Sequence, residues 1–217
     1  MKTITVKGMG KVSVKPDLIV ISMNLETKDK DYEQTMNLAS EKINILSKAL
    51  QDVGFKKDDI KTCNFNIRTN YESERDEKGI YKSVFKGYIC NHTLKVEFAF
   101  DTKQLGLVIS AISMCEAMPE FSISFTVKDP TQISKELLES ASNNALEKAT
   151  ILSQASNVKL GDLISIDYNW GEINVYSNTE YKMERTLMRA KVCASDIDIQ
   201  PDDICVNDTA TLVWEIL

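Results

Sequence analysis

Apolar residues fall on every second position through several stretches of the chain. Ile19, Ile21, Met23 and Leu25 alternate with other residues, as do Cys63, Phe65 and Ile67. The same spacing holds for Tyr88, Cys90, Leu94, Val96 and Phe98, and for Phe121, Ile123, Phe125 and Val127. Ile164, Ile166, Tyr168 and Trp170 repeat it, and a last run joins Ile204, Val206, Ala210, Leu212, Trp214 and Ile216. Period two is the spacing of a strand with one packed and one wet face. Between these runs the period lengthens. Tyr32, Met36, Ala39, Ile43, Leu46, Leu50 and Val53 step by threes and fours up to Gly54, which predicts an amphipathic helix. Leu105, Val108, Ile112 and Cys115 predict a second, and Ile133, Leu137, Ala141, Ala145, Ala149, Leu152 and Ala155 a third with a small-residue seam.

Each helix opens with the same device. Asp31, Asp101 and Asp129 stand three residues before Gln34, Gln104 and Gln132. An Asp at the cap accepts from a first-turn amide, and the Gln is placed to reach back to the cap amide. Pro130 fits the first helical position. The element order is β-β-α-β-β-α-β-α-β-β. Its inner part spells βαββαβ, a ferredoxin-like portion with extra N- and C-terminal strands, so the fold class expected is α+β with three helices packed on antiparallel sheets. Residues 1–217 read as one α+β unit that can be divided into two intimately packed subdomains, about 1–80 with 200–217 and about 81–170. Residues 70–83 read as a charged hairpin tip. Residues 171–203 read as an irregular segment too long for a simple connection; its Tyr176, Tyr181, Met183, Leu187 and Met188 are candidate contacts with a neighbouring subunit.

The chain has 217 residues, a length that supports a core without disulfides or metals. Its net charge is −6 and it has no basic block, which argues against nucleic acid or an anionic membrane surface as a partner. No apolar run approaches a membrane span, and the alternating opening residues lack the core of a leader; a cytoplasmic location is expected on that basis. Five cysteines with no Cys-x-x-Cys pair make a disulfide framework or zinc site improbable. No cofactor is implied.

Chemistry-bearing residues are few. Gly8-Met-Gly10 lies between two short alternating segments and lacks the helix a phosphate cradle needs, so it reads as a bend or bulge. His92, the one histidine, interrupts the inward phase of its strand, and Asp208 does the same in the last strand. They form a candidate buried polar pair titrating near neutral pH. Cys63 and Cys90 share an inward phase and read as small buried hydrophobes, whereas Cys193 is the candidate exposed, oxidisable thiol. The acidic run 196–203 lacks the Gly and closing Glu of a calcium loop. No nucleophile signature accompanies His92.

In order, these pieces resemble the SIMPL-domain family, named for a signalling molecule that associates with a pelle-like kinase. The resemblance rests on the opening Gly8 to Asp17 with its Gly-x-Gly and Pro-Asp turn, on Asp59 to Ile67, on Gly87-Tyr88, and on Leu105-Gly106. It continues through Ile123 to Pro130, Leu160-Gly161 and Pro201 before the final strand. The resemblance implies an α+β fold, a tendency to self-assemble and no established catalytic residue; bacterial members include periplasmic, immunogenic and oxidative-stress-linked proteins. The reading that follows is a non-enzymatic homo-oligomer, stress-related, with the opening and closing strands as docking edges. Its rivals are a binding module for a partner protein or small apolar ligand, and an enzyme using His92 or Cys193.

Overall fold

The computed structural model describes residues 2–75, 79–168, 171, 173–183 and 199–217. In chain order the elements are β1 (Thr3–Val14), β2 (Leu18–Asp29), α1 (Tyr32–Asp52), β3 (Lys61–Arg75), β4 (Tyr81–Ala99), α2 (Thr102–Met114), β5 (Glu120–Thr126), α3 (Pro130–Ala155), β6 (Leu160–Tyr168), β7 (Tyr176–Met183) and β8 (Ile204–Ile216). The fold is α+β with two antiparallel sheets, as the periodicities predict. β7 is the addition: it lies inside the stretch expected to be irregular.

The caps form by their Asp halves. Asp31 accepts from the Gln34 amide, Asp101 from those of Lys103 and Gln104, and Asp129 from that of Thr131. The glutamines do other work. The Asp31 amide donates to Asp29, Gln104 donates to the Val53 carbonyl, and Gln132 donates to Glu136. A carboxylate two residues upstream reaches the Asp31 amide with a shorter tether than Gln34 has.

The chain divides into two compact units. One holds residues 1–17, 125–179 and 201–217, and the other 18–124 and 180–200. The first joins the opening and closing strands, as in the division 1–80 with 200–217, but adds the third helix and leaves 18–80 to the other unit. Its sheet runs β1-β8-β6, so the closing strand is central and offers no edge. α3 packs on β1 and β8. Ala141, Ala145 and Ala149 meet Val6, Ala210, Leu212 and Trp214 in one cluster. Ile133 and Leu137 meet Val175, Ile204 and Val206 in the next.

The glycines of the opening motif set that packing distance. A Cβ on Gly8 would fall 2.7 Å from the Ala145 amide nitrogen and closer still to the Ala141 carbonyl oxygen. One on Gly10 would fall 2.9 Å from the Ala141 nitrogen and closer to the Leu137 carbonyl oxygen. Strand backbone and helix backbone thus touch directly. At that range α3 also covers the outer rim of β1: the Met9 amide donates to Asn144 Oδ1 at 3.0 Å, the Lys11 amide to Ser140 Oγ at 3.2 Å, and Lys148 Nζ donates to the Lys7 carbonyl. The middle of β1 is an edge by topology and closed by chemistry.

The other unit is built on β2, β3 and β4, within a five-stranded sheet of order β3-β4-β2-β5-β7. The first four strands reproduce the split βαβ order expected. Ile21, Met23 and Leu25 of β2 and Leu94 and Val96 of β4 are buried, as are Leu46 and Leu50 of α1 and Leu105, Ile109 and Ile112 of α2.

Replacing Gly8 or Gly10 by Ala forces backbone apart from backbone, so each should lower the unfolding free energy by at least about 3 kcal/mol, the upper range of overpacking. Asn144→Ala leaves one rim amide to water and should cost about 1 kcal/mol. Urea unfolding of the three variants checks both expectations; a Gly8→Ala variant as stable as the parent would contradict the direct backbone contact.

Candidate functional site

Two places collect the residues singled out by sequence. The first surrounds His92 on β4. Antiparallel register sets Leu25 on one side of it and Phe65 on the other. The ring is 8% exposed, meets Phe65 edge-on at 5.1 Å between centroids, and shares a 3.0 Å hydrogen bond between Nε2 and Thr62 Oγ1. Its Nδ1 is buried without a hydrogen-bond partner, as is Oγ1 of Thr27 one pleat further along the same face. Burial holds the imidazole below its ordinary value of about 6.5, because the charged form loses water and gains no anion.

Asp208 lies in the other unit, opposite Gly10 on β8, and its Oδ1 accepts from the Thr209 amide at 2.7 Å. The polar partner each of the two residues has is within its own unit. His92 is a packed core histidine whose ring is oriented by Phe65 and the Thr62 hydroxyl.

The second place is a cleft of about 340 Å³. Met23, Phe121 and Met183 are its apolar lining, with Ser22, Asn24 and Ser122 as neutral polar groups and Glu120 and Lys182 as charged ones. β7 brings Met183 here, where it is buried and takes a weak hydrogen bond from Ser113 Oγ. Tyr181 lies tilted on Phe121 with ring centroids 6.3 Å apart. Two of the residues read as subunit contacts therefore pack within their own chain, and Tyr176 stays exposed. Leu187, Met188 and the thiol candidate Cys193 lie outside the described residues.

Two expectations about phase are corrected. Cys63 is exposed, because a bulge between Thr62 and Asn64 turns it out of the pleat it would share with Cys90. Ile164 and Ile166 are exposed on β6. Ile164 falls at a register shift, whereas Ile166 keeps the inward phase opposite Leu212 and is exposed because β6 is the rim strand; Leu160 and Tyr168 are the β6 residues packed on the core. Among the described residues no group of three or more His, Cys, Asp or Glu is placed to hold a metal ion.

His92 gives the chain a pH signature. As pH falls below about 6.5 the unfolded chain takes up a proton that the folded chain resists, so stability declines from near pH 7 toward pH 5. No other side chain ordinarily titrates in that window. His92→Gln, which keeps an amide for Thr62, should flatten the pH dependence of urea unfolding there; parallel curves for parent and variant would contradict it.

The SIMPL family, described as a protein of unknown function (DUF541), matches residues 4–214. The chain is also similar to the 26 kDa periplasmic immunogenic protein of Brucella melitensis biotype 1, with 22% identity over 163 residues, 75% of this chain and 65% of that protein. The protein of the same name from Brucella abortus (strain S19) is 21% identical over the same shares. The chain thus spans about 65% of the length of the curated relatives it matches. Both relatives are named periplasmic, which overturns the cytoplasmic location expected from the opening residues alone. With one family covering the chain from β1 into β8, on the α+β fold its motifs implied, this protein belongs to the SIMPL family.

Proposed function

We propose that this chain is a non-enzymatic protein that works as a homo-oligomer, in the periplasm as the names of its relatives have it, and in a stress response as the family resemblance implies. One observation carries the assembly: the contrast between the two rims of the three-stranded sheet. β1 has its central amides and a carbonyl taken by α3. β6, at the other rim, has β8 as its one strand neighbour among the described residues and exposes Leu163, Ile164 and Ile166. Soluble proteins guard such edges with charge, proline or cover. β6 carries Asp162 and Asp167 near its ends and none of these devices on its central apolar residues. A strand that is apolar, exposed and half-paired is suited to accept a strand from another copy.

Light scattering over a wide range of protein concentration should give a mass above that of the single chain. Ile164→Lys, a charge placed on an already exposed position, should lower that mass without lowering the melting temperature. A parent that stays monomeric throughout would end this reading.

The cleft favours a second reading, a module for a small apolar ligand, since its volume falls in the range of such sites. The dye 1-anilinonaphthalene-8-sulfonate should then bind saturably with a rise in fluorescence, and Ser122→Trp, which fills the cleft, should abolish that rise. Dye binding unchanged in the variant would place it elsewhere.

A further inference from the structure

The β3–β4 hairpin runs past the end of its sheet. β2 pairs with β4 as far as Asp29 opposite Tyr88, whereas β3 and β4 continue to pair from Asn70 with Gly87 out to Arg75 with Tyr81. The extension is a two-stranded ribbon, an arrangement marginal in water by itself. It leaves the sheet at Gly87, whose φ of +123° is open to glycine, and where a Cβ would lie 2.6 Å from Lys30 Cα. The register skips Lys86 there, which pairs with Glu74.

That skip has a consequence for the faces. Without it, Phe85 would fall on the side opposite Tyr88; with it, both lie on one side, their rings 5.5 Å apart and edge-on. Tyr71 meets Phe85 at 5.5 Å and Tyr32 meets Tyr88 at 5.5 Å, so the rings form one edge-to-face string from α1 out along the arm. Register puts Ser73, Ser83, Arg75 and Tyr81 on this face and Glu72, Glu74, Lys82 and Val84 on the other. The arm is amphipathic, and its aromatic side is open: Tyr32 is 50% exposed, Tyr71 58%, Tyr81 69% and Phe85 45%.

We infer that this aromatic face is a self-association surface on which the same face of a second copy packs. The inference rests on the homo-oligomeric reading and names a surface for it separate from β6. Two observations select a second copy. The first is charge. The chain as a whole carries −6, yet register gives the aromatic face of the arm no acidic residue among the described ones, Arg75 being its one charged side chain. Two like-charged chains meet here with the least repulsion. The second is area. With a whole aromatic side chain worth roughly 200 Å², the four rings leave about 450 Å² uncovered. Two copies face to face bury about 900 Å² from the rings alone, and the flanking serines and arginine carry the total past the ~1,000 Å² of a specific interface. Edge-to-face rings present edges and faces in turn, a surface complementary to its own copy in a two-fold contact.

The test is Tyr71→Ser combined with Tyr81→Ser, both on rings more exposed than buried, with Tyr81→Ser alone as the milder variant and Glu72→Ser on the opposite face as control. Light scattering against concentration, with circular dichroism to verify the fold, should show the association constant falling at least a hundredfold in the double variant, since aromatic anchors at the centre of an interface carry that much. Tyr81→Ser should weaken association by about tenfold, and Glu72→Ser should leave it unchanged. A parent that never associates would overturn the homo-oligomeric reading and this one together. A parent that associates, with both tyrosine variants unaltered, would overturn the arm alone and leave assembly to β6. A double variant with a lower melting temperature and unchanged mass would also overturn it, since the rings would then be covered by their own chain.

Discussion

The three-stranded unit depends on the absence of two side chains. Gly8 and Gly10 let the backbone of β1 lie against the backbone of α3, and the alanines at 141 and 145 are small for the same reason. Restoring a Cβ at either glycine would lift the helix off the strand. It would also pull Asn144 and Ser140 out of reach of the amides they bind. Close approach, core closure and rim protection are therefore one interaction. The packing of Ile133 and Leu137 on Ile204 and Val206 follows from the helix position so fixed.

Much of this fold was legible in the sequence, for a physical reason. Periodicity and capping are local, and where the pleat is regular they translate directly into structure. All three Asp caps formed, and the inner βαββαβ order is present in the sheet. The failures share a cause too. A bulge changes parity without changing composition, so Cys63 and Ile164 leave the phase that an unbroken alternation gives them, while Ile166 keeps its phase and is exposed by the rim position of β6. β7 escaped notice because its inward phase includes Ser177, which is buried by donating to the Asp202 carbonyl rather than by being apolar. Nor does sequence order say which strands become neighbours: β8 closes the chain and sits in the middle of its sheet.

The candidate sites divide along the same line. That His92 is inward was readable from its phase, but its partner Thr62 lies thirty positions earlier on a strand whose register no local rule fixes. Gly8 and Gly10 read in sequence as a bend or bulge; what they do becomes visible once α3, more than a hundred residues later, lies against them. Most of the arm, residues 70–83, reads as a charged tip because its acids and bases dominate the composition. The glycine at its root carries the aromatic residues to one side.

The covered rim of β1 sets a limit on growth. In polymer language the three-stranded sheet, on the strand addition proposed above, is monofunctional: α3 blocks one of its two ends and leaves the β6 end to couple. Units of that kind couple once and stop, so the proposed addition would yield a closed couple and never a fibre. Uncapping β1, as a lost Asn144 and Ser140 would, turns the same unit into one that can propagate.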